Sequence, residues 1–356
     1  MNGADEVCIE PHPQPPLFLL APMDGMSRAS FRSICFDYGA DGATTEMIQS
    51  LALGRAKKRM SDTFEEVLVR YPNERSLAAQ LIGSVPDMMA ESARRLTALR
   101  RFDAIDINMG CPARKVVGSG NGSALLKTTE LAMRVMEAVR SATDLPVRLK
   151  LRLGWDEAHI TAPELIRYAE ALGFESVTLH GRTRAQMYGG AVNVGAIRAV
   201  AESVNIPVYA NGGVTGAADA LDFLRDTGAA GVAIGRAALK QPWIFDDIKR
   251  LRQGEQPPER LAPERVALLL KQAALACGHR PEKVAICEMR KFSGWLLPGL
   301  TGADEVLRRL NGVTTLEGYR RLMGDFLEAL IRTNDVRVHP ELLPRQSLDT
   351  VAYRNN

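Results

Sequence analysis

The most constraining feature of this sequence is a repeated alternation between short apolar runs and segments with helical periodicity. Eight apolar runs of strand length lie at residues 17–23, 40–47, 76–83, 104–112, 147–154, 176–182, 206–213 and 231–237. Each run is apolar at nearly every position, which is typical of a parallel strand that is buried on both faces. Between the runs, segments such as 86–101, 129–142 and 163–172 place apolar residues at helical spacing.

The number of these repeats favours one fold. Eight strand–helix units in about 240 residues match the size of a (β/α)8 barrel. A doubly wound open sheet is the alternative, although such a sheet rarely contains eight parallel strands without an interruption. We therefore predict an α/β fold in which a (β/α)8 TIM barrel occupies residues 1–249.

The pattern changes after Ile244. Residues 250–263 are polar and rich in proline, and we assign 250–262 as a linker. Four segments with helical periodicity follow, at 263–277, 281–296, 303–311 and 315–332. They predict a small all-helical C-terminal domain at 263–335, followed by a poorly ordered tail at 336–356.

Composition excludes several classes of protein. The chain has 356 residues, of which 46% are hydrophobic and 24% charged, so it can bury a large core and is not a disordered protein. No apolar run approaches the ~20 residues that a helix needs to cross a bilayer. The first residues lack the basic and apolar regions of a signal peptide, so we expect a cytoplasmic protein without a membrane partner.

Cysteine and charge patterns add two further expectations. The five cysteines are scattered without a CxxC pair, so neither a disulfide framework nor a metal site is expected. Residues 1–245 carry 27 basic and 27 acidic side chains, whereas residues 246–356 carry 18 and 15. This small excess is either an ordinary solvated helical surface or a weak nucleic-acid footprint.

Polar residues stand at the carboxyl end of nearly every predicted strand, where the catalytic residues of a barrel gather. They are Asp24, Glu46, Gln80, Asn108, Lys150, His180, Arg182, Asn211 and Arg236. A lysine inside the run VRLKLRLG is costly to bury unless an anion or an electron-rich ring faces it. Lys150 therefore indicates a ligand at the barrel mouth, with a partnered core lysine as the alternative.

Two glycine-containing turns follow the last two predicted strands. They are Asn211–Gly212–Gly213 and Ile234–Gly235–Arg236. Glycine lets backbone N–H groups approach phosphate oxygens, and an arginine adds a charged fork. Each turn alone could be a simple tight turn, but the pair on adjacent strands favours a cofactor that carries a phosphate.

Cys111 is the one cysteine with a chemical context. It lies in Asn108–Met109–Gly110–Cys111–Pro112, directly after a predicted buried strand. A cysteine at a barrel mouth can act as a nucleophile or as a general acid, and both roles stay open at this point. The other four cysteines fit inert thiols.

Several stretches resemble the flavin-dependent tRNA-dihydrouridine synthases. They are LAPMDGMSRASFR (20–32), DINMGCPARKV (106–116), GSALL (122–126), LKLRLGW (149–155), LHGRTRAQMYGG (179–190), NGG (211–213) and IGRAALKQPWIF (234–245). MRKFSGW at 289–295 looks closest to the B-type bacterial branch. The sequence departs from the family at Asn193 and Val194, where an acidic and an aromatic residue are common, and in NGG, which replaces NGD.

The resemblance implies FMN as cofactor, NADPH (or NADH) as reductant and a uridine in tRNA as substrate. The C5=C6 bond of the uracil would be reduced, with hydride passing from the reduced flavin N5 to C6 and a proton passing from Cys111 to C5. A thiol suits this role because its pKa of ~8.5 keeps it largely protonated at neutral pH. The target base would have to be flipped out of the folded tRNA.

The matching motifs imply two sets of binding residues. The cofactor-binding residues would be Pro22, Met23, Asp24, Gln80, Lys150, His180, Asn211, Gly212, Gly213, Gly235 and Arg236. The substrate-binding residues would be Asn108, Arg182, Arg184, Arg290 and Lys291, with Arg308, Arg309, Arg320 and Arg321 as further candidates for contacting tRNA.

Two other functions compete with this interpretation. A small-molecule pyrimidine oxidoreductase of the dihydroorotate dehydrogenase kind shares the barrel and FMN, but it lacks the GSALL and HGRTR motifs and needs no helical domain. A non-catalytic RNA-binding protein that retains FMN is disfavoured by the presence of Cys111 and Lys150. We expect a monomer.

Overall fold

In a computed structural model of the chain, which describes residues 15–56 and 66–339, eight parallel strands close into a barrel. The strands are β1 Leu17–Leu20, β2 Gly42–Thr44, β3 Leu77–Ile82, β4 Ala104–Met109, β5 Val147–Arg152, β6 Ser176–His180, β7 Val208–Asn211 and β8 Gly231–Ile234. Each strand pairs with the next, and β8 closes the ring on β1 with Leu17 opposite Gly231. The predicted TIM barrel is confirmed, and the open sheet is excluded by this closure.

Helices cover the barrel from outside. They are α1 Ala29–Asp37, α2 Ser50–Arg55, α3 Pro86–Ala98, α4 Arg114–Gly118, α5 Thr129–Arg140, α6 Ala162–Ala171, α7 Val194–Ala201, α8 Ala217–Thr227, α9 Arg236–Lys240 and α10 Ile244–Arg252. A 3-10 helix spans Gly122–Lys127, a short strand Ile48–Gln49 pairs with β3, and Gly154–Asp156 pairs with His159–Ile160. The predicted helix at 163–172 corresponds to α6, with Pro163 in its first turn.

Strand β5 shows how the sequence pattern positions the site. Leu149 and Leu151 are fully buried and belong to the hydrophobic core that also contains residues of the surrounding helices. Arg148, Lys150 and Arg152 alternate with them and therefore share the opposite, inner face of the strand. The inner face of β5 thus carries three cations into the barrel, and the last two lie toward its carboxyl end.

Asn193 has a structural role that accounts for its presence. It is the N-cap of α7, and its Oδ1 accepts a hydrogen bond from the N–H of Ala196 at 2.9 Å. Asparagine is among the best N-cap residues because its side chain satisfies an amide that has no partner within the helix. The departure from the family pattern at this position is therefore compatible with a normal helix start.

Between the barrel and residue 339, the structure describes four helices. They are α11 Ala262–Cys277, α12 Glu282–Leu296, α13 Ala303–Leu310 and α14 Leu316–Arg332. Helix α11 packs against α1, and the ring of Phe292 on α12 lies 5.2 Å from that of Phe31 on α1. The last strand in the described part of the chain is β8, as the helical periodicity indicated. The division into domains at 249 and 263 stays a prediction.

The predicted tail begins within the described residues. The carbonyl of Val336 accepts the N–H of Ala262 at 2.9 Å, and the N–H of His339 donates to the carbonyl of Gly299 at 2.6 Å. The rest of the tail, 340–356, lies outside the described residues, as does Cys8. Among the described helices, none has both the length and the apolar content required to cross a membrane.

Candidate active site

A series of hydrogen-bonded, buried polar side chains runs between β3 and β4 toward the carboxyl end of β4. Gln80 on β3 donates from Nε2 to Oδ2 of Asp106 at 2.6 Å, and its Oε1 accepts from Nδ2 of Asn108 at 2.8 Å. Oδ1 of Asn108 then accepts the backbone N–H groups of Gly110 at 3.1 Å and Cys111 at 3.0 Å. The series connects β3 to the turn that carries the Cys111 thiol. Gln80 is fully buried within it.

The turn at Cys111 is also held from the other side. The carbonyl of Cys111 accepts hydrogen bonds from Ser123, at 3.1 Å from the backbone N–H and at 2.9 Å from Oγ. Gly122 has a φ of +59°, and a Cβ there would lie 2.8 Å from the Cys111 carbonyl oxygen. The GSALL segment therefore needs its glycine and serine to pack against the cysteine turn.

Burial sets the protonation state of Cys111. The residue is 9% exposed. Burial raises the pKa of the thiol, and the Asp24 carboxylate raises it further, while the Ala113 N–H, Arg152 and Lys150 act in the opposite direction. A raised pKa favours the protonated thiol at neutral pH, so the burial of Cys111 suits a proton donor better than a nucleophile.

Lys150 lies across the barrel mouth at the end of β5. Its Nζ donates to Oδ1 of Asn211 at 2.7 Å, and Nδ2 of Asn211 donates to the Ala233 carbonyl at 2.7 Å. Burial lowers the pKa of Lys150 to about 8, although the nearby Asp106 carboxylate partly opposes this. A cation held at this cost is suited to an anionic or electron-rich ligand.

His180 and the turn after β7 form the adjoining part of the mouth. Burial, followed by the charges of Arg152, Lys150, Arg182 and Arg236, holds the pKa of His180 well below its usual value. Its buried Nδ1 has no hydrogen-bond partner among the described residues. Such a neutral histidine surrounded by cations is typical of a site that accepts an anion.

Gly212 and Gly213 leave space beside His180. Their φ angles are +113° and +81°, which side-chain-bearing residues rarely adopt. A Cβ on Gly212 would lie 3.0 Å from Nε2 of His180, and one on Gly213 would lie 3.1 Å from Cγ2 of Val192. The turn can therefore come close to a ligand only because these positions are glycine.

Three arginines line the segment between β6 and α7. Arg152 donates to the carbonyls of Gly110, Thr183 and Met187, at 2.9, 2.9 and 2.6 Å. Arg182 holds the carbonyl of Gly190 with Nε and Nη2. Arg184 lies 4.5 Å from the Trp155 ring centroid. Arg152 and Arg182 thus hold backbone in place, and the predicted substrate contacts of Arg182 and Arg184 stay predictions.

The rings of Trp155 and Tyr188 each lie close to two cations. Lys127 and Arg184 lie 4.4 and 4.5 Å from the Trp155 centroid. Arg152 and Arg236 both lie 5.4 Å from the Tyr188 centroid. These contacts bring Arg236, from the turn after β8, to the same side of the mouth as β5.

The loop after β1 completes the mouth. Met23 lies beside Gly235, since a Cβ on that glycine would be 3.7 Å from the Met23 sulfur. Pro22 is partly buried, and Asp24 is exposed. The predicted cofactor-binding residues lie in the second half of the barrel strands or in the turns that follow them, and their ligand contacts stay predictions.

A charged cluster joins this rim to the C-terminal helices. Arg28, at the start of α1, lies 3.3 Å from Glu46, 3.6 Å from Glu66 and 2.7 Å from Glu288 on α12. Arg280 pairs with Glu66 at 2.9 Å and also with Glu288. Burial raises the pKa of Glu46 to about 7. Through the ion pairs of Glu288, the cluster holds α12 beside the barrel mouth.

Arg290 and Lys291, both predicted to bind substrate, differ in environment. Arg290 is partly buried, and its Nη2 donates to the carbonyl of Asn311 at 2.7 Å. Lys291 is exposed, and its charge acts on Asp24 at the rim. Lys291 is therefore available to a substrate at the mouth, whereas Arg290 supports the start of the segment after α13.

Sequence reasoning missed Asp106 and Arg152 as parts of the site, and it named only Glu46 from the Arg28 cluster. Asp106 and Arg152 carried a readable signal, because each is a charged residue inside an otherwise apolar strand run. Arg28 and Glu288 carried none, since they are 260 residues apart. Among the described residues, no group of histidine, cysteine, aspartate or glutamate side chains could hold a metal ion.

Known proteins resemble this chain along most of its length. A sequence model described as "Dihydrouridine synthase (Dus)" matches residues 19–331. The "Probable tRNA-dihydrouridine synthase" of Rhizobium leguminosarum bv. phaseoli is 38% identical over 88% of this chain and 94% of its own length. The "tRNA-dihydrouridine synthase B" of Pseudomonas aeruginosa is 36% identical over 86% of this chain and 91% of its own length.

A solved structure shares the fold at low sequence identity. Histamine dehydrogenase from Rhizobium sp. 4-9 superposes with a TM-score of 0.52 over 94% of this chain and 65% of that chain, at 12% identity. This likeness concerns the barrel fold alone. The sequence matches confirm the resemblance that the motifs indicated: the chain belongs to the dihydrouridine synthase family.

Proposed function

We propose that this protein is a tRNA-dihydrouridine synthase that reduces the C5=C6 bond of uridines in tRNA. The reaction adds a hydride to C6 and a proton to C5 of the uracil ring. The observation that carries the proposal is a buried Cys111 thiol, whose pKa burial raises, in a barrel mouth that also contains Lys150. Relatives named for this activity cover most of the chain.

The residues of the mouth fit a flavin with one phosphate. Four cations surround the neutral His180, whose Nδ1 lacks a partner within the described chain. Gly212 and Gly213 leave room for a phosphate against backbone, and Arg236 and Lys150 supply positive charge. We therefore assign FMN to this site, with Lys150, His180, Asn211, Gly212, Gly213 and Arg236 holding it.

The other steps of the reaction would be carried out by residues of the protein. A bound flavin supplies the hydride that is added to C6. Cys111 donates its proton to C5, and burial keeps the thiol protonated until that step. Asn108 would face the base with its second Nδ2–H, because its oxygen accepts the N–H groups of Gly110 and Cys111 and its first Nδ2–H is donated to Gln80. Lys150 stabilises negative charge in the mouth.

The two electrons come from a nicotinamide cofactor, for which we propose NADPH, with NADH as the alternative. The tRNA would lie across the rim and the C-terminal helices, with its target base flipped into the mouth. Lys291 lies at that junction, and Arg308, Arg309, Arg320 and Arg321 are exposed further along the helices. We expect a monomer that acts in the cytoplasm, where tRNA is found.

The test is a Cys111→Ala substitution studied in single turnover. The variant should retain flavin and accept electrons from NADPH, because the thiol takes part neither in binding the flavin nor in its reduction. Oxidation of the reduced flavin by tRNA should slow by about 10²- to 10⁴-fold, the usual contribution of a general acid. Oxidation by molecular oxygen should change little.

A Cys277→Ala variant serves as control, since Cys277 lies at the end of α11 and away from the mouth. A wild-type rate of tRNA reduction in Cys111→Ala would overturn the acid role of Cys111. Oxidation of the reduced flavin by free orotate or uracil instead of tRNA would favour a small-molecule oxidoreductase.

A further inference from the structure

Asp106 is a buried carboxylate that the proposed proton transfer does not use. It lies on β4, two residues before Asn108, and is only 3% exposed. Its Oδ2 accepts the short hydrogen bond from Gln80. Burial raises its pKa to about 6, while the hydrogen bond from Gln80 and the charges of Lys150 and Arg148 act in the opposite direction. An ionised carboxylate can only accept hydrogen bonds.

This restriction determines the orientation of two amides. Because Asp106 only accepts, Gln80 must turn its NH₂ group toward it and its oxygen toward Asn108. Asn108 must then turn its NH₂ group toward Gln80 and its oxygen toward the turn. That oxygen meets two groups that can only donate, the N–H groups of Gly110 and Cys111.

The chain of hydrogen bonds is therefore specified from both ends. If the Gln80 amide were reversed, its oxygen would face the carboxylate. If the Asn108 amide were reversed, its NH₂ group would face two backbone N–H groups. A buried polar chain with all partners satisfied in one direction is rigid and strongly oriented.

We propose that Asp106 is a positioning residue, which acts through Gln80 and Asn108 to fix the turn that carries the Cys111 thiol. The proposal rests on the proposed function, since it assumes that the thiol donates the proton. The Ser123 contacts fix the carbonyl side of the same turn, and the Asp106 chain fixes its N–H side. Displacement of a reacting group by about 1 Å can cost roughly 10²-fold in rate.

The experiment compares Asp106→Leu with Asp106→Asn. Leucine removes the acceptor of Gln80 Nε2, so Gln80 is no longer held in place and its support of Asn108 is lost. Oxidation of the reduced flavin by tRNA should slow by about 10- to 100-fold, with the KM for tRNA unchanged. Asparagine offers Gln80 an acceptor oxygen without a charge. The backbone N–H groups of Gly110 and Cys111 still direct the oxygen of Asn108 toward the turn. Asp106→Asn should therefore restore most of the rate.

A double-mutant cycle tests whether Asp106 acts through Gln80 and Asn108. Asn108→Ala breaks the chain between Gln80 and Cys111, so Asp106→Leu should slow this variant little further. Gln80→Leu gives a second way to break the hydrogen bonds between Asp106 and Asn108 if Asp106→Leu does not fold, and it should slow the reaction by a similar ~10- to 100-fold. If the effects of Asp106→Leu and Asn108→Ala multiply, or if Asp106→Asn is as slow as Asp106→Leu, the proposal is wrong. Asp106 would then act by its charge on Lys150.

Alkylation of thiols by iodoacetamide, resolved by peptide mass spectrometry, separates this proposal from the proposed function. Release of the turn in Asp106→Leu should expose Cys111 and speed its alkylation, while Cys277 should react as in the wild type. Glu74→Gln is the matched control, because Glu74 is another buried carboxylate and pairs with Arg32 away from the thiol. An unchanged rate for Cys111 would overturn the positioning role, even if tRNA reduction were also found to need no acid.

Discussion

The buried charge of Lys150 lowers the free energy of unfolding of the protein. In the unfolded chain its pKa is near 10.5, whereas in the folded protein it is about 8. The unfolded state therefore binds the proton more tightly between these values, so stability rises as the pH increases from about 8 to 10.5. Below pH 8 the full penalty is present. This is expected of a residue that is retained for its ligand and not for stability.

We predict that Lys150→Met stabilises the flavin-free protein at pH 7. The gain should be about 1–3 kcal/mol, because the penalty from a shift of this size is partly offset by the lost hydrogen bond to Asn211. The gain should shrink toward pH 10, where the wild-type lysine is neutral. Urea unfolding at pH 7 and pH 9.5 measures both effects. Lys249→Met, at a half-buried lysine that pairs with Asp41 at 3.6 Å, is the control and should change little.

The neighbours Arg290 and Lys291 should respond differently to charge reversal. Lys291→Glu should weaken tRNA binding and lower the salt slope by roughly one unit, with no loss of stability. Arg290→Glu should destabilise the protein by about 0.5–1.5 kcal/mol, because it removes the hydrogen bonds from Arg290 to the carbonyls of Asn311 and Val313. Filter binding over a range of salt concentrations and thermal unfolding distinguish the two. Equal salt slopes for Lys291→Glu and wild type would place the RNA elsewhere.

Among the strands and helices, those with a local signature were predictable. The run at 147–154 contains β5, and the periodic segment at 315–332 contains α14 Leu316–Arg332. A strand that is buried on both faces appears in the sequence as an apolar run, and a helix that is buried on one side appears as apolar residues at helical spacing. The contacts that join elements leave no such pattern. Neither the link between Gln80 and Asp106 nor that between Arg28 and Glu288 could be read before the fold brought these residues together.

The turn between β7 and α8 can be tested with a matched pair of glycines. Gly212 and Gly254 both have positive φ angles, +113° and +80°. A Cβ on Gly212 would lie 3.0 Å from His180, whereas a Cβ on Gly254 would meet no atom within 4 Å. Both alanine variants should lose about 1–2 kcal/mol of stability from backbone strain. Only Gly212→Ala should also lose flavin, as judged by flavin absorbance per protein after purification. Equal flavin content in the two variants would contradict a cofactor contact at this turn.

For the molecule as a whole, the barrel and the C-terminal helices are joined by apolar and charged contacts at one junction. The Phe31 ring on α1 packs on Phe292, and Phe292 in turn packs edge-on against Trp295 at 5.5 Å. Beside them, Arg28 pairs with Glu288 at 2.7 Å. Phe31 and Phe292 are both almost fully buried. Such a junction resembles a domain core more than a mobile interface between domains.

This junction predicts that the barrel and the helices unfold together. Phe292→Ala should cost about 3–5 kcal/mol, because it leaves a cavity against Phe31. Helix loss, followed by circular dichroism, and flavin release, followed by fluorescence, should then move to lower temperature by the same amount and still coincide. Ile331→Ala, at an exposed position on α14, should leave both transitions in place. If the helices of Phe292→Ala melt while the flavin stays bound, the C-terminal segment is an independently folding domain, and the Phe31–Phe292 contact does not couple it to the barrel.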